Sequence, residues 1–145
     1  RYYWKSQNVK GLGEGEIERL IAHAEAAPSD HSTIDVWYQG GAMARVGAQE
    51  SAFGDRSAPI LLGIEANWEE PEDDEANVEW ARNVVSDMRR FSSGGAYLNF
   101  PGFMEEGQRL MRDAYGENYG RLAALKGAYD PANLFRLNQN IKPTA

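Results

Sequence analysis

An α+β fold is what this sequence predicts: a ferredoxin-like antiparallel sheet with helices packed on one face, followed by two helices and an extended tail. Three observations carry the prediction. Short stretches rich in aromatic and branched residues read as strands, two of them alternating polar and apolar or running apolar. Longer stretches repeat their apolar residues at helical spacing. The two kinds follow one another as β-α-β-β-α-β, the order that builds an antiparallel sheet with both helices on one side.

Taken in turn, Tyr2-Tyr3-Trp4-Lys5-Ser6 is short, aromatic and strand-like. Residues 16–27 place Ile17, Leu20, Ile21 and Ala24 on one helical face, and Pro28 ends the run. Residues 33–39 alternate, with Ile34, Val36 and Tyr38 opposed to Asp35, Trp37 and Gln39, until Gly40-Gly41 breaks the strand. Residues 59–68 are a nearly continuous apolar strand. Residues 74–91 form the longest helix, with Trp80, Val84, Met88 and Phe91 as its buried stripe. After Gly94-Gly95, residues 96–100 read as a further strand. Residues 104–115 then gather Leu110, Met111 and Ala114, and 118–129 gather Tyr119, Leu122, Leu125 and Tyr129, before Asp130-Pro131 stops the helix. The tail, 133–145, is polar, with Leu134, Phe135 and Ile141 as apolar anchors. No repeat or long linker divides the chain. A substrate-binding portion over 1–100 and a C-terminal segment over 101–145 are the expected units.

Composition removes several functions. A net charge of −7 repels phosphate backbones and argues against nucleic acid as a partner. No apolar run approaches the roughly 20 residues of a membrane helix. There is no cysteine for a disulfide, a thiolate metal site or a nucleophile, and His23 and His31 show no metal-binding spacing; no metal is expected. The acidic run at 69–75 lacks the spaced ligands and glycine turn of a calcium loop and suits a helix N-terminus instead. Gly11-Leu12-Gly13-Glu14-Gly15 fails both nucleotide-loop patterns, with Glu16 where a third glycine belongs, and no Gly-x-Ser-x-Gly elbow occurs. The compartment is left open, with a soluble, cytoplasmic protein favoured. The opening Arg1-Tyr2-Tyr3-Trp4, without an initiator Met, is expected of a piece of a longer protein.

The decisive residues lie between 97 and 143. Tyr97-Leu98-Asn99-Phe100-Pro101-Gly102 is followed by Tyr115-Gly116-Glu117-Asn118-Tyr119-Gly120-Arg121-Leu122, then Leu125-Lys126, Tyr129-Asp130-Pro131, Asn133, Phe135, Gln139 and Ile141. This resembles the C-terminal signature of berberine-bridge-enzyme-like FAD-linked oxidoreductases. Gly40 to Val46 and Ser51 to Arg56 are similar to the same family's substrate domain.

The resemblance implies an FAD-dependent oxidoreductase acting on a small organic alcohol, sugar or amine, of which this chain is the substrate-side part. FAD is then held mainly by an N-terminal domain of the same parent protein, the chief partner of residues 101–145. Such chemistry needs the donor carbon of the substrate over the flavin ring and a base for the proton. By resemblance Tyr97 and Asn99 lie alongside the flavin, and Asn138 and Asn140, with Gln139, offer amides to the cofactor or to backbone groups. Arg121, Lys126 and Asp130 are expected in ion pairs or caps. Relatives often carry a Tyr base where Phe100 stands here, and Phe100 cannot accept a proton, so the catalytic base is unassigned. The competing reading is a stand-alone ligand-binding or dimerisation module, with sheets paired in a homodimer.

Overall fold

The structure, a computed structural model, describes residues 1–54, 56–95, 97–102, 107–137 and 139–144. Its elements are β1 (Tyr2–Val9), α1 (Glu14–Glu25), β2 (Thr33–Tyr38), β3 (Ile60–Asn67), α2 (Asp74–Met88), α3 (Gln108–Tyr115) and α4 (Asn118–Tyr129). The α+β class is as expected, and α4 has the bounds read from the sequence.

β3 lies between β1 and β2 and pairs antiparallel with both. Successive residues of a strand point to opposite faces. Ile60, Leu62, Ile64 and Ala66 therefore share one face of β3, and all four are buried. Against that face pack Trp80, Ala81, Val84 and Met88 of α2 and Leu20 of α1. The two helices are tied to each other as well. The Trp80 indole donates to the His23 carbonyl at 2.8 Å. Arg19 reaches both carboxylate oxygens of Asp87 at 3.0 Å, and the His23 ring lies 3.2 Å from the same carboxylate.

Two expectations need correcting. The stretch 96–100 forms no strand over its described residues, 97–100. Gly94 and Gly95 take φ of 89° and 73°, outside the extended region. The chain then turns, with the Phe100 N–H donating to the Tyr97 carbonyl at 3.0 Å. The returning chain does lie beside β1, but only as isolated bridges, Val9 with Ser92 and Lys5 with Pro101. Four residue steps on β1 are matched by nine on the returning chain, so five residues bulge out over the sheet. That bulge carries Tyr97, Asn99 and Phe100.

The second correction concerns apolar faces. Ile17 and Ile21 of α1 are exposed, and so are Val36 and, at 78%, Tyr38 of β2. β2 is an edge strand, and among the described residues no element covers this end of the helix face. The start of the helix read at 104–115, residues 104–106, lies outside the described residues. Its remainder buries Met111 and Ala114 as expected, and Met111 joins a second small core with Tyr119, Ala123 and Ile141. Leu125 is exposed, as are Tyr129 at 86% and Phe135 at 83%, so the outer face of α4 and the tail anchors Leu134 and Phe135 lie open.

The start of the tail is held by one carboxylate instead. Asp130 pairs with Lys126 and accepts the N–H groups of Leu134 at 2.7 Å and Phe135 at 3.0 Å. Lys126 and then those N–H groups hold its carboxyl below the ordinary range. Asn118 plays a similar structural part, its amide donating to the carbonyls of Ala48 at 2.8 Å and Ser51 at 3.2 Å.

Met88 is fully buried, so Met88→Ala is expected to cost about 2–5 kcal/mol in chemical denaturation. Asp130→Asn is expected to remove the hydrogen-exchange protection of the Leu134 and Phe135 amides. A depressed carboxyl stabilises above its unfolded pKa and ceases to do so as pH falls through the folded value, so acidification below the carboxylate range should expose the same two amides.

Candidate functional site

The sheet face away from the helices is built from three strands in register. One row is Ser6, Gly63 and Asp35, the next Trp4, Glu65 and Thr33, and the one on the other side Asn8, Leu61 and Trp37. Gly63 leaves a gap at the centre. The position its Cβ would take is 3.5 Å from the Asp35 Cβ, 3.8 Å from a Glu65 carboxylate oxygen and 4.0 Å from the Phe100 ring. Phe100 thus lies over the middle of the face, at the gap that Asp35 and Glu65 also border.

Aromatic rings surround it. Phe100 meets Trp4, Trp37 and Tyr97 edge-on, with centroids 5.4, 5.9 and 5.4 Å apart. Edge-to-face contacts of this kind add to the burial of the rings. The bulge that supplies Phe100 and Tyr97 is pinned by buried Ser6: its hydroxyl accepts the Tyr97 N–H at 3.2 Å and donates at 3.3 Å to the Tyr97 carbonyl.

Asp35 and Glu65 border the same gap at Gly63. Burial first, and then the neighbouring Asp35, push the Glu65 carboxyl above the ordinary carboxylate range. The residues of β1, β2 and β3 on this face include no Lys or Arg. A raised carboxyl among aromatic rings suits proton transfer.

The acid pair was not among the residues singled out from sequence. Its trace there is Glu65, one acid in the otherwise apolar run 60–66. That it meets Asp35, 30 positions away, is decided by the β2–β3 register.

The expected cofactor residues are dispersed. Tyr97 and Asn99 sit together on the bulge, the Asn99 amide donating to the Tyr97 hydroxyl at 2.8 Å, and Asn99 is exposed. Asn140 borders a separate groove with Leu122, Leu125, Tyr129, Phe135 and Gln139, and its carbonyl accepts the Gln108 amide at 3.2 Å. Asn138 lies outside the described residues. Among the described residues no cluster of three or more His, Asp or Glu could hold a metal, and no helix is long and apolar enough to cross a membrane.

Comparison with known proteins agrees with the signature. Residues 96–142 match the family described as berberine and berberine like. FAD-linked oxidoreductase YgaK of Bacillus subtilis (strain 168) is 35% identical over 136 residues, 92% of this chain and 29% of YgaK. Berberine bridge enzyme-like C-1 of Nicotiana tabacum is 31% identical over 90% of this chain and 28% of its own length. The solved chitooligosaccharide oxidase superposes with a TM-score of 0.76 at 25% identity, over 100% of this chain and 33% of that one. A BBE-like 1 variant of Physcomitrella patens shares the fold, with a TM-score of 0.85 over 99% of this chain and 31% of that one, at 22% identity. The chain thus spans about three tenths of the length of these curated relatives. Through residues 96–142 and the fold it shares along its length, the chain belongs to the berberine-bridge-enzyme-like family of FAD-linked oxidoreductases.

Proposed function

We propose that this chain is the substrate-side portion of an FAD-dependent oxidoreductase acting on a small alcohol, sugar or amine, and that its aromatic, acidic sheet face covers the reacting centre. The observation that carries this reading is the gap at Gly63, bordered by Asp35, Glu65 and the Phe100 ring, with the Glu65 carboxyl raised by burial and by Asp35. The face fits a flavin ring system in part. Trp4, Trp37 and Phe100 offer flat apolar cover, and exposed Asn99 offers an amide to a ring edge. It offers no cation for a pyrophosphate, which falls to the FAD-binding domain of the parent protein. The flavin, when bound, supplies the acceptor for a hydride.

The chain's own residues then have distinct tasks. The rings orient an uncharged or cationic substrate and keep water from it. The acid pair takes the proton from the substrate O–H or N–H, the task Phe100 cannot perform. Ser6 holds the Tyr97–Phe100 turn in place, and Asn140 with the tail faces the FAD-binding domain. In that arrangement residues 1–100 bind substrate and 101–145 dock on the other domain, through the open face of Leu125, Tyr129, Leu134 and Phe135. The competing dimerisation reading has the edge strand β2 in its favour, with exposed Val36 and Tyr38; a monomer in light scattering removes it.

The chain alone is expected to be colourless and to leave the spectrum of added FAD unchanged; flavin bands that co-purify with it overturn this division of labour. In the parent protein, Asp35→Asn and Glu65→Gln are each expected to slow flavin reduction by about 10²–10⁴-fold without bleaching the flavin. The pH profile should rise through a limb above the ordinary carboxylate range, and that limb should vanish in Glu65→Gln. A raised carboxyl also makes the folded state bind more protons, so its contribution to stability falls as pH rises through the folded value. Glu65→Gln should therefore gain thermal stability relative to the natural chain on going from pH 4 to pH 7.

A further inference from the structure

The aromatic rings on the open sheet face form an unbroken row. Tyr2 and Trp4 are two residues apart on β1, so both side chains point to this face. Their ring centroids are 5.4 Å apart. Trp4 meets Phe100 at 5.4 Å, and Phe100 meets Trp37 of β2 at 5.9 Å. The benzene ring of Phe100 therefore bridges the two indoles. The row runs from Trp37, 44% exposed, to Tyr2, 55% exposed.

Indole and phenol are the ring side chains that give up an electron most readily, and the surroundings of this row favour that loss. Glu65 lies directly across from Trp4 in the strand register, and Asp35 precedes Trp37 by two residues on the same face of β2. Carboxylates attract the positive charge that an oxidised indole carries, and the strand residues of this face supply no Lys or Arg to oppose them. The other two tryptophans are placed differently. Trp68 and Trp80 are each 6% exposed and belong to the helix-side core. A small oxidant in solution therefore meets Trp37 first.

The row has a direction and a fixed geometry. Near neutral pH a tyrosine whose proton can pass to water is oxidised more readily than a tryptophan, so an electron lost from an indole is replaced from Tyr2. The Trp4 indole is held in place by donating to the Asn67 side-chain oxygen at 3.0 Å. Ser6 pins the turn that presents Phe100. A tyrosine at position 100 would trap the radical beside the two acids, whereas phenylalanine passes the electron on.

We propose that Trp37, Phe100, Trp4 and Tyr2 form an electron relay that repairs one-electron oxidation of the sheet face at the expense of exposed Tyr2. The oxidant is a small oxygen- or nitrogen-centred radical. It takes one electron from Trp37, whose indole N–H proton passes to water. An electron then moves from Tyr2 through Trp4 and across Phe100 to Trp37. Trp37 takes a proton back from water, and Tyr2 releases its phenolic proton to water. The balance is one electron from Tyr2 to the oxidant and one proton to solvent, with a tyrosyl radical left at the surface. Phe100 bridges and is not itself oxidised. The relay requires neither flavin nor substrate, so it and the oxidoreductase reading can fail independently.

The test is pulse radiolysis of the 145-residue chain, without FAD, in neutral azide solution, where the azide radical oxidises indoles. The visible band of the tryptophanyl radical should decay as the violet band of the tyrosyl radical grows, at one rate that does not depend on protein concentration. Tyr2→Phe keeps the ring but removes the phenol, and should abolish the violet growth. Trp4→Phe should slow it at least tenfold. Tyr38→Phe should leave it unchanged: Tyr38 is 78% exposed and follows Trp37 in the chain, but it pairs with Ile60 and points to the helix face. Tryptophanyl decay without tyrosyl growth overturns the proposal. Growth that persists in Tyr2→Phe overturns it too, because the electron then comes from another tyrosine, such as Tyr97 beside Phe100. Growth that disappears in Tyr38→Phe has the same force. Should Trp4→Phe fail to fold, the two tyrosine variants decide.

Discussion

β3 is hydrogen-bonded along its length to β1 on one side and over most of its length to β2 on the other, and the rest of the molecule takes its position from that double register. On one face of β3 the side chains are uniformly apolar and large enough to seat α2. On the other face Gly63 interrupts the row, leaving a gap that Phe100, Asp35 and Glu65 border. A shift of either neighbouring strand by one residue would turn its side chains to the opposite face. Asp35 would leave Glu65, and the helix-side core would lose its apolar partners in the same step. Stability of the core and composition of the candidate site therefore depend on the same set of backbone hydrogen bonds.

The bulge between the Val9–Ser92 and Lys5–Pro101 bridges shows how the fold turns a structural element into a functional one. A regular fourth strand would run alongside β1 and pair with it. The consecutive positive-φ glycines 94 and 95 prevent this, and the excess chain folds over the open face instead. Its two sides then border different environments: Phe100 faces the acids and the tryptophans, whereas Tyr97 and Asn99 border a cavity that Asn8 and Gln39 also line. Ser6 serves both sides, because one buried hydroxyl satisfies the backbone at the root of the turn.

Exposed apolar surface is concentrated in two places: the outer face of α4 with the tail, and the end of the helix face formed by α1 and β2. Leu125, Tyr129, Leu134, Phe135 and Leu137 in one patch, and Ile17, Ile21, Val36 and Tyr38 in the other, are residues a sequence pattern assigns to a core. Apolar surface gathered in this way marks interfaces in folded proteins. Backbone bonding to Asp130 keeps the start of the tail ordered beside α4, and Ile141 packs into the small core further on.

By itself the sequence determined the α+β class, the elements with strong periodicity and the family. Those features are local: alternation, helical spacing, breakers such as Pro28 and Pro131, and a long ordered signature each leave their mark in neighbouring residues. α4 and the Trp80, Val84 and Met88 stripe were legible for that reason. The tertiary structure decided what depends on distant partners. It turned the expected strand at 96–100 into a turn, since the propensity of Tyr97 and Phe100 yielded to Gly94 and Gly95. It left Ile17, Ile21, Leu134 and Phe135 uncovered, since burial requires an opposing element that no residue's own neighbours reveal. It brought Asp35 and Glu65 to one gap on the sheet, because strand register, not sequence distance, sets which polar groups come together.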